Sequence, residues 1–415
     1  MRLSESDPAS IRRELAGIEE SLAGTGTLHI PQMDNGLFAA TSGQGQNHAS
    51  GYQNAWLRDN VMVAYSHWRS GDSDSALHTV RSLEEFLMKQ QRRMRAIIDR
   101  PEEKEDVRNR PHVRFEARTL SELPQPWSHA QNDALGGAMW LRFRMANAQG
   151  STVTPDEAEL FGTLARYFGA IQYWEDRDSG PWEEERKVNS SSVGTVVAAL
   201  SGLKEYGRRS GSFAVVTETE IDSWIQKGRN TLKRQLPFES PPGRRTDAAV
   251  LLLLHPLEIV KEKRMAHRIV SLVRARLEGE HGIRRYLGDS YFCQDYDEWF
   301  PPEEQTADFS NAIEVRNEFL RPGCEAQWCL FDPILSSIYG ARFRQDPKEP
   351  QHLQRQVRYL NRSLGQLTAE GKCPELYYLK GTEWIPNDHT PLAWTQANLR
   401  VALHDLKTSL DCVCR

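Results

Sequence analysis

The sequence predicts an all-α fold for this chain of 415 residues. Apolar residues recur at the three- and four-residue spacing of a buried helix face in about eleven windows, whereas the period-two alternation of a half-buried strand is rare and short. Between the windows run irregular segments rich in Gly, Pro, Asn or aromatic residues. Each amphipathic helix needs a neighbour for its apolar face, so a long run of them suits helical hairpins arranged side by side, with their connections left for function.

In chain order the windows begin with Ile11, Leu15, Ile18 and Leu22, then Leu57, Val61, Ala64, Tyr65 and Trp68, then Leu77, Val80, Leu83 and Leu87. Leu135, Ala138, Met139 and Phe143 mark the fourth, Leu160, Leu164, Phe168 and Ile171 the fifth, and Val193, Val196, Val197 and Leu200 the sixth. Ile221, Trp224 and Ile225 follow, then Ile269, Val273 and Leu277, and then Trp328, Phe331, Leu335 and Ile338. The last two are Leu353, Val357, Leu360 and Leu364, and Leu392, Leu399 and Leu403. Two short stretches, near Tyr291 and near Leu376, read as strand candidates. Three connections stand out: 26–55 is rich in Gly, Ser and Asn, 100–127 in Pro and charge, and 281–323 in aromatics and acids.

Composition narrows the function classes. The chain carries 52 Lys and Arg against 57 Asp and Glu, interspersed, for a net charge of −5. That balance offers no basic field for phosphates, so nucleic acid is not an expected partner. No run approaches the ~20 apolar residues of a membrane span, and the opening MRLSESDPASIRRELAG lacks the apolar core of a signal peptide, so a cytoplasmic protein with no membrane partner is expected. Six cysteines lie in the last third with no Cys-x-x-Cys pair, which predicts free thiols and no metal site. Cys412 and Cys414 have no assigned role.

Several motifs are excluded by inspection. Gly43-x-Gly45 lacks the third glycine of a dinucleotide fingerprint, and Gly371-Lys372 is followed by Cys373 where a P-loop has Ser or Thr. Neither His-Glu-x-x-His nor Gly-x-Ser-x-Gly occurs. No cofactor is called for.

What remains is a set of Trp, Arg, Asp and Glu residues near the ends of the helical windows. Sugar-cleaving enzymes need two carboxylates across the scissile bond, charged partners for hydroxyls, and aromatic faces for the rings. Tyr52-Gln-Asn-Ala-Trp56-Leu-Arg58-Asp59 enters the second window, where an Arg beside an Asp can fork hydrogen bonds to vicinal hydroxyls. It fits equally a helix start in which Asp59 meets the macrodipole and pairs with Arg58. In Trp182-Glu183-Glu184-Glu185, a Trp beside a Glu can desolvate a carboxyl and raise its pKa, as a general acid requires, although an acidic solvated turn has the same composition. In Cys373-Pro374-Glu375-Leu376-Tyr377-Tyr378, Glu375 is a lone acid among apolar residues, either a buried base or an exposed turn residue. Trp127 through Asp133 and Arg284 through Tyr291 complete the candidates.

Taken together and in this order, these segments resemble glycoside hydrolase family 15, the glucoamylase family. The resemblance rests on Trp56-x-Arg58-Asp59, Gln131-Asn132-Asp133, Trp182-Glu183-Glu184 with Ser190-Ser191, Arg285-Tyr286 with Asp289 and Tyr291, and Pro374-Glu375. Ala55 to Val61, Cys324 to Trp328 and Pro374 to Tyr378 lean toward the branch holding the glucoamylase-like domains of phosphorylase kinase alpha and beta subunits. The resemblance implies a single (α/α)6 barrel over residues 1–415 and inverting, exo-acting hydrolysis of α-glucosides, releasing β-glucose from short α-glucans or a disaccharide. It implies Glu183 as general acid and Glu375 as general base. Tyr52, Trp56, Arg58 and Asp59 would hold the terminal glucose, and Glu184 and Arg285 the next sugar. Trp127 and Trp182 would wall the pocket, Trp394 would pack beside the base, and Asp133 would also bind substrate. The same branch implies an alternative, a carbohydrate-binding regulatory protein with little catalysis. Segments 100–127 and 291–321 depart from the loops usual in the family, which leaves linkage and chain length open.

Overall fold

The computed structural model describes residues 1–4, 7–41, 51–213 and 215–413. Eleven helices of thirteen residues or more lie among them: α1 (Pro8–Gly24), α2 (Leu57–Arg69), α3 (Ser73–Asp99), α4 (Asn132–Gln149), α5 (Pro155–Ile171), α6 (Ser190–Ser210), α7 (Glu218–Gln235), α8 (Lys263–Leu277), α9 (Phe331–Gln345), α10 (Pro350–Gly365) and α11 (Ala393–Asp411). Every window read from the sequence falls on one of them, with Trp328 and Leu392 just ahead of α9 and α11. The ends follow ordinary capping chemistry. Asp7 accepts from the amides of Ala9 and Ser10 at the start of α1, and Thr154 with Glu157 and Thr217 with Glu220 form reciprocal caps on α5 and α7.

Burial divides the helices into two classes. The outer helix α1 buries one stripe, Ile11, Leu15, Ile18 and Leu22, whereas α2 buries every residue from Leu57 to Ser66 and α4 every residue from Asn132 to Phe143. A helix buried on all sides has packed neighbours on all sides. Accordingly α2 packs on α4, α4 on α6, α9 on α11, and α11 back on α2. Between α6 and α9 the ring is bridged by a six-residue 3₁₀ segment, Ala248–Leu253, which is wholly buried and touches both. Six inner staves thus close a ring, and α1, α3, α5, α7, α8 and α10 surround it. This is an (α/α)6 barrel.

Two small antiparallel sheets sit at one end. β1 (Ala55–Trp56) pairs with β2 (Arg114–Glu116), which pairs with β3 (Ser121–Glu122). β4 (Gln327–Trp328) pairs with β5 (Leu376–Lys380), which pairs with β6 (Glu383–Pro386). The stretch near Leu376 is therefore a strand, as expected, but the stretch near Tyr291 is a turn. There the Asp289 carboxylate accepts the Tyr291 amide at 3.0 Å while also binding Arg285, so side chains supply partners that a strand would find in a ladder. The connection 281–323 holds two short helical turns, Tyr296–Trp299 and Ile313–Asn317. Cys293, Cys324, Cys329, Cys373 and Cys412 are free thiols, while Cys414 and residues 42–50 lie outside the described residues. No described helix is long and apolar enough to cross a membrane.

Candidate active site

The inner staves begin at the same end of the barrel, and a cavity opens there. Its wall takes Tyr52 and Trp56 from the approach to α2, Arg58 and Asp59 from its first turn, Trp127 from ahead of α4, and Trp182 and Glu183 from ahead of α6. Trp328 precedes α9, Glu375 precedes β5, and Trp394 is the second residue of α11. Arg285, Tyr291, Asp308 and Arg316 come from the long connection after α8. Helix N-termini carry partial positive charge, so this end of the ring suits a group of carboxylates.

Arg58 and Asp59 do not pair with each other as a simple capped helix start would have it. The Arg58 guanidinium donates to Asp133 at 2.7 Å and to Gln131 at 2.5 Å, and lies 3.5 Å from Glu183. Asp59 receives no hydrogen bond from any described side chain. Burial pushes its carboxyl up to about 7, opposed by the neighbouring Arg58 charge and reinforced by Glu183 and Glu375.

Glu183 follows the 3₁₀ turn Gly180–Trp182 and has φ of 58°, the left-handed region that a side-chain-bearing residue rarely occupies. Its Oε1 accepts from Gln131 at 3.1 Å. Burial raises its pKa above the ordinary carboxyl value, while Arg58, Gln131 and Arg114 work against the rise. The result is a carboxyl inclined to hold a proton, facing an aromatic cavity.

Glu375 is surrounded differently. Its Oε1 accepts the Tyr52 hydroxyl at 2.9 Å, and its Oε2 accepts from Asn387 at 2.5 Å. The Nδ1 of His389, a ring with no solvent exposure, lies 2.9 Å from the same Oε2. With the carboxylate ionised, the ring proton of His389 sits on Nδ1. Tyr52 stacks on the His389 ring at 3.8 Å, so base candidate, phenol and imidazole form one packed unit.

The aromatic wall is ordered by cations and acids behind it. Trp182 donates its indole N–H to both oxygens of Asp247, at 3.0 and 3.1 Å. Arg285 lies 5.0 Å from the ring of Tyr291, 4.9 Å from that of Trp328 and 5.3 Å from that of Trp182. Arg114 stacks over Trp127 at 4.1 Å and over Trp56 at 4.8 Å.

Two of the expected sugar ligands lie off the cavity wall. Glu184 does not line the cavity: it is 1% exposed and binds Arg244 at 2.6 Å, Arg285 at 3.0 Å, Arg316, and the Tyr286 hydroxyl at 2.6 Å. The left-handed backbone at Glu183 turns the chain so that consecutive glutamates face opposite ways. Asp133 also lies off the wall, with its Oδ2 bound to Arg58. The other ten sequence candidates all border the cavity. Sequence reasoning missed Asn387 and His389, together with Asp308, Arg316 and Trp328 as wall residues. For His389, the lone acid Glu375 was itself the signal, because a buried carboxylate requires donors somewhere in the fold.

Residues 21–289 match the family described as Glycosyl hydrolases family 15. A probable phosphorylase b kinase regulatory subunit alpha of Caenorhabditis elegans is 25% identical over 387 residues, covering 83% of this chain and 30% of that protein. Its Drosophila melanogaster counterpart is 24% identical over 304 residues, covering 67% and 23%. The chain therefore spans less than a third of the curated relatives it matches. Among solved structures, a wild-type glycosidase superposes with a TM-score of 0.71 at 17% identity, covering 95% of this chain and 98% of that one. A glucoamylase from Saccharomycopsis fibuligera gives 0.62 at 13% identity, covering 98% and 97%. At those identities the likeness is one of fold.

Proposed function

Because the chain belongs to glycosyl hydrolase family 15, we propose that it is an inverting, exo-acting α-glucosidase that releases β-glucose from the non-reducing end of α-glucosides. The observation that carries this reading is the pair of unlike carboxylates on one cavity wall. Glu183 is raised by burial and suits a proton donor, whereas Glu375 is ringed by donors that suit an ionised acceptor. In the proposed reaction Glu183 protonates the glycosidic oxygen while Glu375 takes a proton from the water attacking the opposite face of the anomeric carbon. Arg58 and Asp59 hold hydroxyls of the terminal glucose, and Tyr52, Trp56, Trp127, Trp182, Arg285 and Trp394 shape its surroundings.

The test is incubation with α-1,4, α-1,6, α-1,3 and α,α-1,1 glucosides, following the anomeric form of released glucose by NMR. First-formed β-glucose supports the reading, and first-formed α-glucose overturns inversion. The regulatory subunits among the relatives favour a second reading, sugar binding without turnover. Saturable binding with no glucose released from any linkage would select it.

Two further results are expected. Activity requires protonated Glu183, so it falls as pH rises through the raised pKa of that group. Arg114 lowers that pKa, so Arg114→Met is expected to move the alkaline limb of the kcat profile upward; an unmoved or lowered limb would remove Arg114 from the electrostatics of Glu183. His389 acts through Glu375 as a positioning residue, and losing its charge-assisted hydrogen bond in His389→Leu should lower kcat roughly tenfold or more with little change in KM. His389→Asn, which keeps a donor near Nδ1, should recover part of the loss. Equal losses in both variants, or a loss confined to KM, would mark the ring as packing alone.

A further inference from the structure

Two cysteines bracket the segment that brings Asp308 and Arg316 to the cavity, Cys293 ahead of it and Cys324 after it. Both meet at one residue between them in the chain. The Cys293 Sγ accepts the Arg321 amide at 3.2 Å and donates to the Arg321 carbonyl at 3.4 Å. The same carbonyl accepts the Cys324 amide at 3.0 Å. Arg321 to Cys324 is thus a tight turn, with Pro322 in its second place and Gly323, at φ of 91°, in its third. From this shared anchor we infer that Cys293 and Cys324 are the two halves of a redox-formed bridge, closed by a small organic disulfide, that ties together the ends of the segment. The inference stands apart from the glucosidase reading.

Access distinguishes this pair from the other thiols. Cys329 and Cys373 line one small hollow, but each is 1% exposed, so neither is open to an oxidant. Cys293 is equally buried, whereas Cys324 is only half-buried. One thiol can therefore meet a reagent while its shielded neighbour completes the bond. The Cys324 thiolate attacks one sulfur of the small disulfide, whose S–S bond breaks and releases a first thiolate. The Cys293 thiol then attacks the Cys324 Sγ, the mixed disulfide breaks, and the second thiolate leaves with the Cys293 proton. Two protein thiols are oxidised by two electrons, and the reagent is reduced to two small thiols. Burial, with the Glu325 and Asp295 charges, holds the Cys324 thiol above its ordinary value, against Arg284 and Arg321, so closure is slow near neutrality and quickens as pH rises. The bridge would also reach the proton acceptor's surroundings, because Phe292, next to Cys293, packs on the His389 ring at 5.8 Å.

The full chain would be incubated with oxidised glutathione near pH 7 and near pH 9, quenched in acid, alkylated, and its unreduced peptides mapped by mass spectrometry. A Cys293–Cys324 link is expected, formed roughly tenfold or more faster at the higher pH, with Cys329 and Cys373 alkylated only after unfolding. The melting transition of the linked protein should rise by roughly 2–5 °C, and dithiothreitol should reverse both changes. Cys293→Ser should stop with one glutathione on Cys324, and Cys324→Ser should take up none. If Cys293→Ser does not fold, the half-buried Cys324→Ser and the mapping still decide. A mixed disulfide that persists on Cys324 in the unsubstituted protein, a link that forms only under denaturing conditions, or a linked protein whose melting is unmoved would overturn the bridge.

Discussion

Glu375→Gln should leave a folded protein whose rate of glucose release is lower by roughly 10²–10⁴, the usual loss when a positioned acid or base is removed. The substitution keeps the shape of the side chain and an oxygen for the Tyr52 hydroxyl, but it removes the proton acceptor. It also sets an amide N–H₂ against the donors Asn387 and His389. Thermal stability is therefore a necessary companion measurement, and an unchanged melting transition assigns the loss to chemistry. Retention of most activity would take Glu375 out of the mechanism. Glu183→Gln should fall by a similar factor and should in addition lose the alkaline limb of the pH profile, since no group is left there to deprotonate.

The largest expected effect on stability lies behind the wall. Glu184 is the anion between Arg285 and Arg316, both buried, and the half-buried Arg244. Replacing it with glutamine leaves three guanidinium groups crowded together with one fewer negative charge, and breaking such a buried pair costs about 3–5 kcal/mol. The pH dependence has a definite sign. The three arginines hold the Glu184 carboxyl well below its ordinary value of 4.5, against the desolvation that raises it. Its contribution is fully present above that ordinary value and is lost as pH falls toward the depressed one. The stability gap between the unsubstituted protein and Glu184→Gln should therefore be widest near neutrality and narrow below about pH 4.5. A denaturant titration at several pH values measures it, and a gap that is absent near neutrality would show that the cluster contributes nothing net. Because Arg285 and Arg316 also face the cavity, weaker sugar binding should accompany the loss.

Helices with a solvent side write a stripe, so α1, α3 and α10 are plain from Ile11, Leu83 and Leu360 and their neighbours. Ala248 to Leu253 is a six-residue 3₁₀ segment, apolar throughout and too short to show a helical period. The stave that closes the ring was therefore silent. The family order of Trp, Arg, Asp and Glu residues picked out most of the cavity wall, several of whose side chains sit at or just ahead of the starts of readable helices. It gave no sign that Glu184 lies off the wall, where a single left-handed residue reverses the facing of the next side chain, and it missed His389 and Arg316, which reach the site from connections without periodicity. Spacing in sequence carries no sign of φ.

Ring closure also has a consequence for how the molecule comes into being. Helix α11 is wedged between α2 and α9, and α2 is among the earliest helices of the chain. Until α11 leaves the ribosome, the inner surface of α2 has only one of its two flanking staves, and much apolar surface waits for a partner more than 300 positions away. Glu375, Asn387, His389 and Trp394 arrive with that same final stretch. A nascent chain thus holds the proton-donor candidate for most of its synthesis but gains the acceptor only in the act of closing. Ring and carboxylate pair are completed together, and chaperone dependence during synthesis should be governed by the last inner stave.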